Sequence, residues 1–144
     1  MSVTLRRAGI SDSQALGTAF EAAFASYREA GLNIPPVSQG LDSDIRDHAV
    51  WVAEEYSQIL GGLIVSVDGV QAHLVLVAVH PQAGGKGVGK ALIDTAVAYA
   101  QEQGVAEIHL ATHHQLPRNV ALYQRLGWET TGTEGDKVLM VRKI

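Results

Sequence analysis

Four glycines fall within six residues, Gly84, Gly85, Gly87 and Gly89, just after the apolar run Ala72–Val79 and just before a helical pattern that begins at Lys90. This order of strand, glycine turn and helix constrains the fold more than any other feature. Glycine lets the main chain approach a ligand with no Cβ in the way. The first turn of a helix adds N–H groups that have no partner within the helix, and the positive end of the helix dipole. Lys86 and Lys90 add two cations. The segment Gly84–Lys90 is built to cradle an anion, and phosphate suits it best. A plain flexible turn is the competing reading, and the density of glycines weighs against it.

Two nucleotide fingerprints nearly fit this segment and fail. Gly84-x-x-x-x-Gly89-Lys90 has the spacing of a P-loop, whose next residue must be Ser or Thr to hold magnesium. Here that residue is Ala91, which has no side-chain oxygen. The preceding strand also lies far from the N-terminus and follows a hairpin. In the dinucleotide pattern G-x-G-x-x-G, Gly85 and Gly87 fit, but Lys90 stands at the third position. Hydrolysis of ATP or GTP is therefore discounted.

Periodicity and turn residues divide the rest of the chain. Val3–Arg7 reads as a first strand and Ser11-Asp12 as a helix cap. Leu16, Ala19, Phe20, Ala23, Phe24 and Tyr27 then recur at helical spacing up to Gly31. Residues 32–40, with Pro35-Pro36, read as a loop, and Asp42–His48 as a short helix. Trp51–Tyr56, Gln58–Val67 and Ala72–Val79 read as strands, the last two joined by the turn Asp68-Gly69. Lys90–Gln103 is helical, Glu107–Thr112 a strand and Pro117–Leu126 a helix. Trp128–Thr133 and Lys137–Lys143 close the chain as strands. No repeat or linker interrupts the 144 residues, so a single domain over 1–144 is expected. Its class is α/β: a mixed, mostly antiparallel twisted sheet of six to seven strands, flanked by about four helices.

Composition narrows the function. Hydrophobic residues make up 47% and charged residues 18%, which excludes a disordered chain. A net charge of −4 disfavours nucleic-acid partners, which call for a basic surface. The most apolar stretch, Ile59–Val79, is broken by Ser66, Asp68, Gly69, Gln71 and His73, so it reads as strands and not as a membrane span. The start of the chain has no signal-peptide pattern. The absence of cysteine removes disulfides, thiolate catalysis and cysteine zinc sites, and fits a reducing cytoplasm.

Val79-x-Pro81 followed by Gly85-Lys86-Gly87-Val88-Gly89-Lys90-Ala91-Leu92 resembles the coenzyme A loop of the GNAT superfamily of N-acetyltransferases. That loop follows the pattern Gln/Arg-x-x-Gly-x-Gly/Ala and leads into a helix. In the usual register Gly87 and Gly89 are its glycines, and Gly84 stands at the Gln/Arg place. A literal match, Gln82-x-x-Gly85-x-Gly87, lies two residues earlier, but Lys90-Ala91-Leu92 favours the later register. A second stretch, Asn119-Val-Ala-Leu-Tyr123-Gln-Arg-Leu-Gly127-Trp128, resembles the closing motif of the same superfamily, with Trp128 in place of Phe.

The resemblance implies an acetyl-CoA-dependent N-acetyltransferase, in which an amine attacks the thioester directly. It implies that Gly84, Gly85, Lys86, Gly87, Val88, Gly89 and Lys90 bind the pyrophosphate of coenzyme A. It implies that Val77, Ala78 and Val79 offer main chain to the pantetheine arm, that Asn119 contacts the cofactor, and that Tyr123 protonates the leaving sulfur. A non-catalytic CoA-binding sensor or scaffold remains the alternative. The acceptor is a small-molecule or peptide amine; a monomer or homodimer is expected, with no nucleic acid, membrane or metal.

Four-residue spacing puts Asn119 and Tyr123 on one helix face. Tyr123 could donate a proton there, or pack in a core beside Leu122 and Leu126. His73 shares a strand face with Val75 and Val77 by alternation. An imidazole suits proton removal near neutral pH, and some superfamily members carry a Glu or His at this point as general base. A plain edge or core histidine remains equally open. Adjacent residues of an extended chain point apart, so His113-His114 do not suggest a shared metal. Glu54 and Glu55 could line an acceptor site, although a solvated strand face is the plainer reading.

Overall fold

The fold was taken from a computed structural model, which describes residues 3–32, 34, 36–85 and 87–144. The chain runs β1 (Thr4–Arg7), a 3-10 turn (Ile10–Asp12), α1 (Ser13–Glu29), α2 (Leu41–Asp47), β2 (Ala49–Glu55), β3 (Gln58–Asp68) and β4 (Gln71–Val79). A second 3-10 turn (Pro81–Ala83) leads to α3 (Val88–Glu102), β5 (Glu107–His113), α4 (Pro117–Arg125), β6 (Glu129–Glu134) and β7 (Lys137–Lys143). The strand order is β1-β2-β3-β4-β5-β7-β6. The sheet is mostly antiparallel, with β4 and β5 parallel. Seven strands and four α-helices among the described residues match the α/β class and element count read from the sequence.

Two compact units are distinguished, Met1–Val65 with Leu76–Ala96, and Ser66–Val75 with Val97–Ile144. In the first, the apolar stripe of α1 forms the core. Leu16 and Phe20 are fully buried against Leu41 of α2, Val50 and Val52 of β2, Ile64 of β3 and Ala78 of β4. Neighbouring strands approach closely at Gly61. A Cβ there would collide with the Ala78 carbonyl and lie 2.8 Å from Val79 Cα, so no larger residue fits. The hairpin from β2 to β3 turns at Tyr56 (φ 51) and Ser57 (φ 65), both left-handed without being glycine.

In the second unit, Ile108, Leu110, Met140, Tyr123 and Trp128 are buried. β5 pairs with β7 from Glu107↔Lys143 to His113↔Lys137. On the outer strand β6 the register shifts between Thr130 and Gly132, so Thr131 bulges out of the ladder.

Some local readings change. The turn after β3 is centred on Gly69-Val70, with Gly69 at φ 61, because the strand pattern extends through Asp68. Left-handed glycine at the first central position is what a type II′ hairpin requires. Asp12 directs its carboxylate to Gly9 N and Arg6 and does not cap α1 with its side chain. α3 begins at Val88, two residues earlier than the apolar period suggested, because glycine turn and helix overlap. None of the helices among the described residues is long and apolar enough to cross a membrane.

Candidate functional site

β4 delivers the chain straight into the glycine segment. Val77, Ala78 and Val79 end the strand, with Ala78 buried and its neighbours half-buried. His80 N donates to Leu60 O at 2.6 Å. Its ring Nδ1 accepts from Gln82 N at 3.1 Å and so caps the 3-10 turn. His80 therefore belongs to the turn. Gly84 closes it, its N–H donating to Pro81 O at 3.2 Å. Gly85 (φ 80) and Gly87 (φ 74) take left-handed backbone, and a Cβ on either would meet nothing within 4 Å. These positions require glycine for conformation and not for space.

Val88 is buried and anchors the start of α3. The helix ladder opens with Ala91 N donating to Gly87 O at 3.1 Å. The N–H groups of its first turn are thus directed out of the helix end. Lys90 is well exposed and pairs with Asp94 at 3.0 Å, one turn along the helix. Its charge toward a ligand is therefore partly spent on Asp94. Lys86 lies outside the described residues.

The first unit also holds a cavity of about 810 Å³, walled by Asp12 and Gln14 near the start of α1, Glu54 and Glu55 of β2, and His80 and Gln82. Arg6 fixes this wall. Its two terminal nitrogens lie 2.9 Å from the two oxygens of Asp12, and one of them lies 3.0 Å from Glu54 Oε2. The Arg6 guanidinium holds the Asp12 carboxyl below the usual range, assisted by Gly9 N–H. Glu54 is thus a fixed partner of Arg6 and not a freely solvated side chain. The link of Arg6 to Asp12 and Glu54 escaped sequence reasoning, which read Asp12 as a cap and Glu54 as a strand residue; the only signal for it was an arginine and a carboxylate on neighbouring strands.

This network carries a pH prediction. A carboxylate with a lowered folded pKa stabilises the fold above its unfolded value, and this is lost as pH falls through the folded one. The thermal midpoint of Asp12→Asn should therefore lie below that of the parent at neutral pH. The gap should close progressively from about pH 5 downward. Thermal melts at several pH values check it.

In the second unit Asn119 and Tyr123 lie one turn apart on α4. Asn119 N donates to Leu116 O at 3.0 Å, in the first turn. Tyr123 is only 7% exposed and meets Trp128 edge-on, with ring centroids 5.6 Å apart. Its carbonyl accepts from Leu126 N and Trp128 N, both at 3.0 Å, which fixes the end of the helix. Burial pushes its phenol up to about 12, so the hydroxyl stays protonated at neutral pH. Tyr123 is thus a core residue whose hydroxyl keeps its proton.

His73 pairs with His109 in the parallel β4–β5 ladder, and that ladder ends there although β5 continues to His113. At the end of β5 the chain turns, and the rings of His113 and His114 stack 5.0 Å apart instead of pointing apart. Extended geometry fails at His114 because that residue already belongs to the turn, where its N–H donates to Asp136 O at 2.8 Å.

A rat protein, N-acetyltransferase family 8 member 2, is 32% identical over 90 residues, covering 57% of this chain and 39% of its own length. The mouse probable N-acetyltransferase family 8 member 5 is 29% identical over 116 residues, covering 67% of this chain and 49% of its own. The chain thus spans two fifths to one half of the length of these relatives. Among solved structures, the PaiA N-acetyltransferase of Thermoplasma acidophilum, in complex with coenzyme A, has a TM-score of 0.86 at 21% identity, with all of both chains covered. A GNAT-family acetyltransferase of Staphylococcus aureus has a TM-score of 0.83 at 16% identity, with 99% of each chain covered. These likenesses concern the fold. The sequence model of the acetyltransferase (GNAT) family matches residues 18–128, from α1 through Trp128, and the chain belongs to that family.

Proposed function

We propose that residues 1–144 form one acetyltransferase domain that moves an acetyl group from acetyl-CoA to an amine. The observation that carries this reading is the passage of β4 into a glycine turn at the start of α3. There Gly85 and Gly87 hold left-handed backbone with open space beside it. When bound, acetyl-CoA supplies an activated acyl group whose carbonyl is open to attack.

The chain's own residues then divide the work. N–H groups of Gly85, Gly87, Val88 and Gly89 hold the diphosphate, with the helix dipole in support, while the Gly84 N–H closes the turn onto Pro81 O. Lys86 and Lys90 add charge, Lys90 less because Asp94 shares it. Main chain of Val77, Ala78 and Val79 pairs with the pantetheine arm as an added strand, and Asn119 contacts the cofactor. His73 takes the proton from the arriving ammonium group, freeing its electron pair to attack. The Tyr123 hydroxyl donates to the sulfur as the C–S bond breaks.

A cationic amine is the acceptor class that the cavity walled by Asp12, Glu54 and Glu55 supports, whether small molecule or peptide. The cysteine-free composition supports a reducing compartment such as the cytoplasm. The test is release of free CoA thiol from acetyl-CoA across a panel of amines. Steady, amine-dependent release is expected. Tight CoA binding with no release from any amine overturns the enzyme reading in favour of a non-catalytic binding module.

A further inference from the structure

Paired residues of a ladder project to the same face of a sheet. The last β4–β5 pair is His73↔His109, and it sets two imidazoles side by side with centroids 5.6 Å apart and planes 31° apart. Period two along β5 brings Glu107 to the same face, with its Oε2 3.6 Å from His109 Nε2. The side chains grade outward, His109 being 29% exposed and Glu107 39%. His109 Nε2 itself is buried and has no hydrogen-bond partner among the described residues. A buried ring nitrogen left unpaired is uncommon and costly, and it calls for an explanation.

On one side β3, joined to β4 by the two-residue turn Gly69-Val70, brings Asp68 and Ser66 to this face. β4 adds Gln71 and Val75, and β5 adds Ala111 and, further along, His113. β7 sets buried Val141 opposite His109 and exposed Lys143 opposite Glu107. β6 sets exposed Glu129 opposite Val141. His109 lies in ring contact with His73, and Glu107 follows at the surface.

We propose that His109 is a positioning residue for His73, and that His73, His109 and Glu107 form a path along one sheet face by which a proton taken up at His73 reaches solvent. This rests on the reading of His73 as general base. The acceptor ammonium gives its proton to His73 and becomes a free amine. The His73 imidazolium passes a proton to His109 through bridging water, and His73 returns to its neutral form. The His109 cation gives a proton to the Glu107 carboxylate, which releases it to solvent and ionises again. Protons and charge balance at each step, and no other reactant is needed.

Three variants of the whole chain test the path: His73→Gln, His109→Phe and His109→Gln. The Phe variant keeps a planar ring and removes both nitrogens; the Gln variant serves the same comparison should Phe disturb folding. For His109→Phe we expect a fall in rate of at least about ten-fold, smaller than the loss of about 100-fold or more that removal of the base itself causes. KM for acetyl-CoA and the thermal midpoint should hold, and added imidazole should restore the rate. Ring-proton NMR reads the contact without catalysis: replacing His109 should alter the titration of His73. A slow His73→Gln beside a parent-like His109→Phe overturns the path alone, as does a loss that imidazole fails to restore or an unchanged His73 titration. A parent-like rate in His73→Gln overturns the base reading and the path with it.

Discussion

Tyr123→Phe should slow acetyl transfer by about 100-fold or more while leaving acetyl-CoA affinity and the thermal midpoint where they are. The ring of Tyr123 is buried and meets Trp128 edge-on, and Phe keeps both features. Only the hydroxyl is lost. Burial holds that hydroxyl protonated, with its ionisation pushed up to about 12, so near neutral pH it has a proton to give. A sulfur leaving as thiolate needs such a donor, and its removal raises the barrier to C–S cleavage and not the cost of binding. Steady-state kinetics, calorimetric titration with CoA and a thermal melt on one preparation separate these effects. Full activity in the Phe variant would show that solvent or another group protonates the sulfur.

Gly87→Val should weaken CoA binding by about 100-fold or more and still give a folded protein. A β-branched residue at φ 74 is a conformational outlier, costing about 1–2 kcal/mol if the backbone is kept. The backbone has an easier course, because the open space around the Cβ position leaves it room to turn, at the cost of the bond from Ala91 N to Gly87 O. It rotates to negative φ, and the N–H groups of the turn swing away from the anion. Each charge-assisted hydrogen bond is worth about 1.5 kcal/mol or more, so two lost bonds amount to about two orders of magnitude in affinity. Calorimetry reads the loss, and circular dichroism checks the fold. Undiminished affinity would remove Gly87 from the cofactor site.

The strands and helices were legible because each is marked locally. Alternation in Ala72–Val79, the helical stripe from Leu16 to Tyr27, and glycines at the turns are short-range signals, and errors at the element ends were small. The glycine turn was legible for the same reason: its conformation and its sequence are one feature. What stayed hidden depends on register between distant segments. Nothing near Arg6 in the chain announces Glu54, because only the β1–β2 pairing brings the two together. His109 stands beside His73 through a parallel pair whose strands are joined by the whole of α3, so neither neighbourhood names the other. Asp12 read correctly as a residue that starts a helix, but Arg6 competed for its carboxylate and won.

The bulge at Thr131 has a consequence for behaviour in concentrated solution. An outer strand presents a row of unpaired main-chain groups on which another copy can build, strand upon strand, toward fibrils. β6 is such an outer strand, but its ladder breaks between Thr130 and Gly132, and Glu129 and Glu134 put a negative charge at either end. An incoming strand meets a kinked edge and like-charge repulsion when the copies are antiparallel in register. On this side of the sheet, growth by edge-to-edge addition is blocked by the insertion of a single residue.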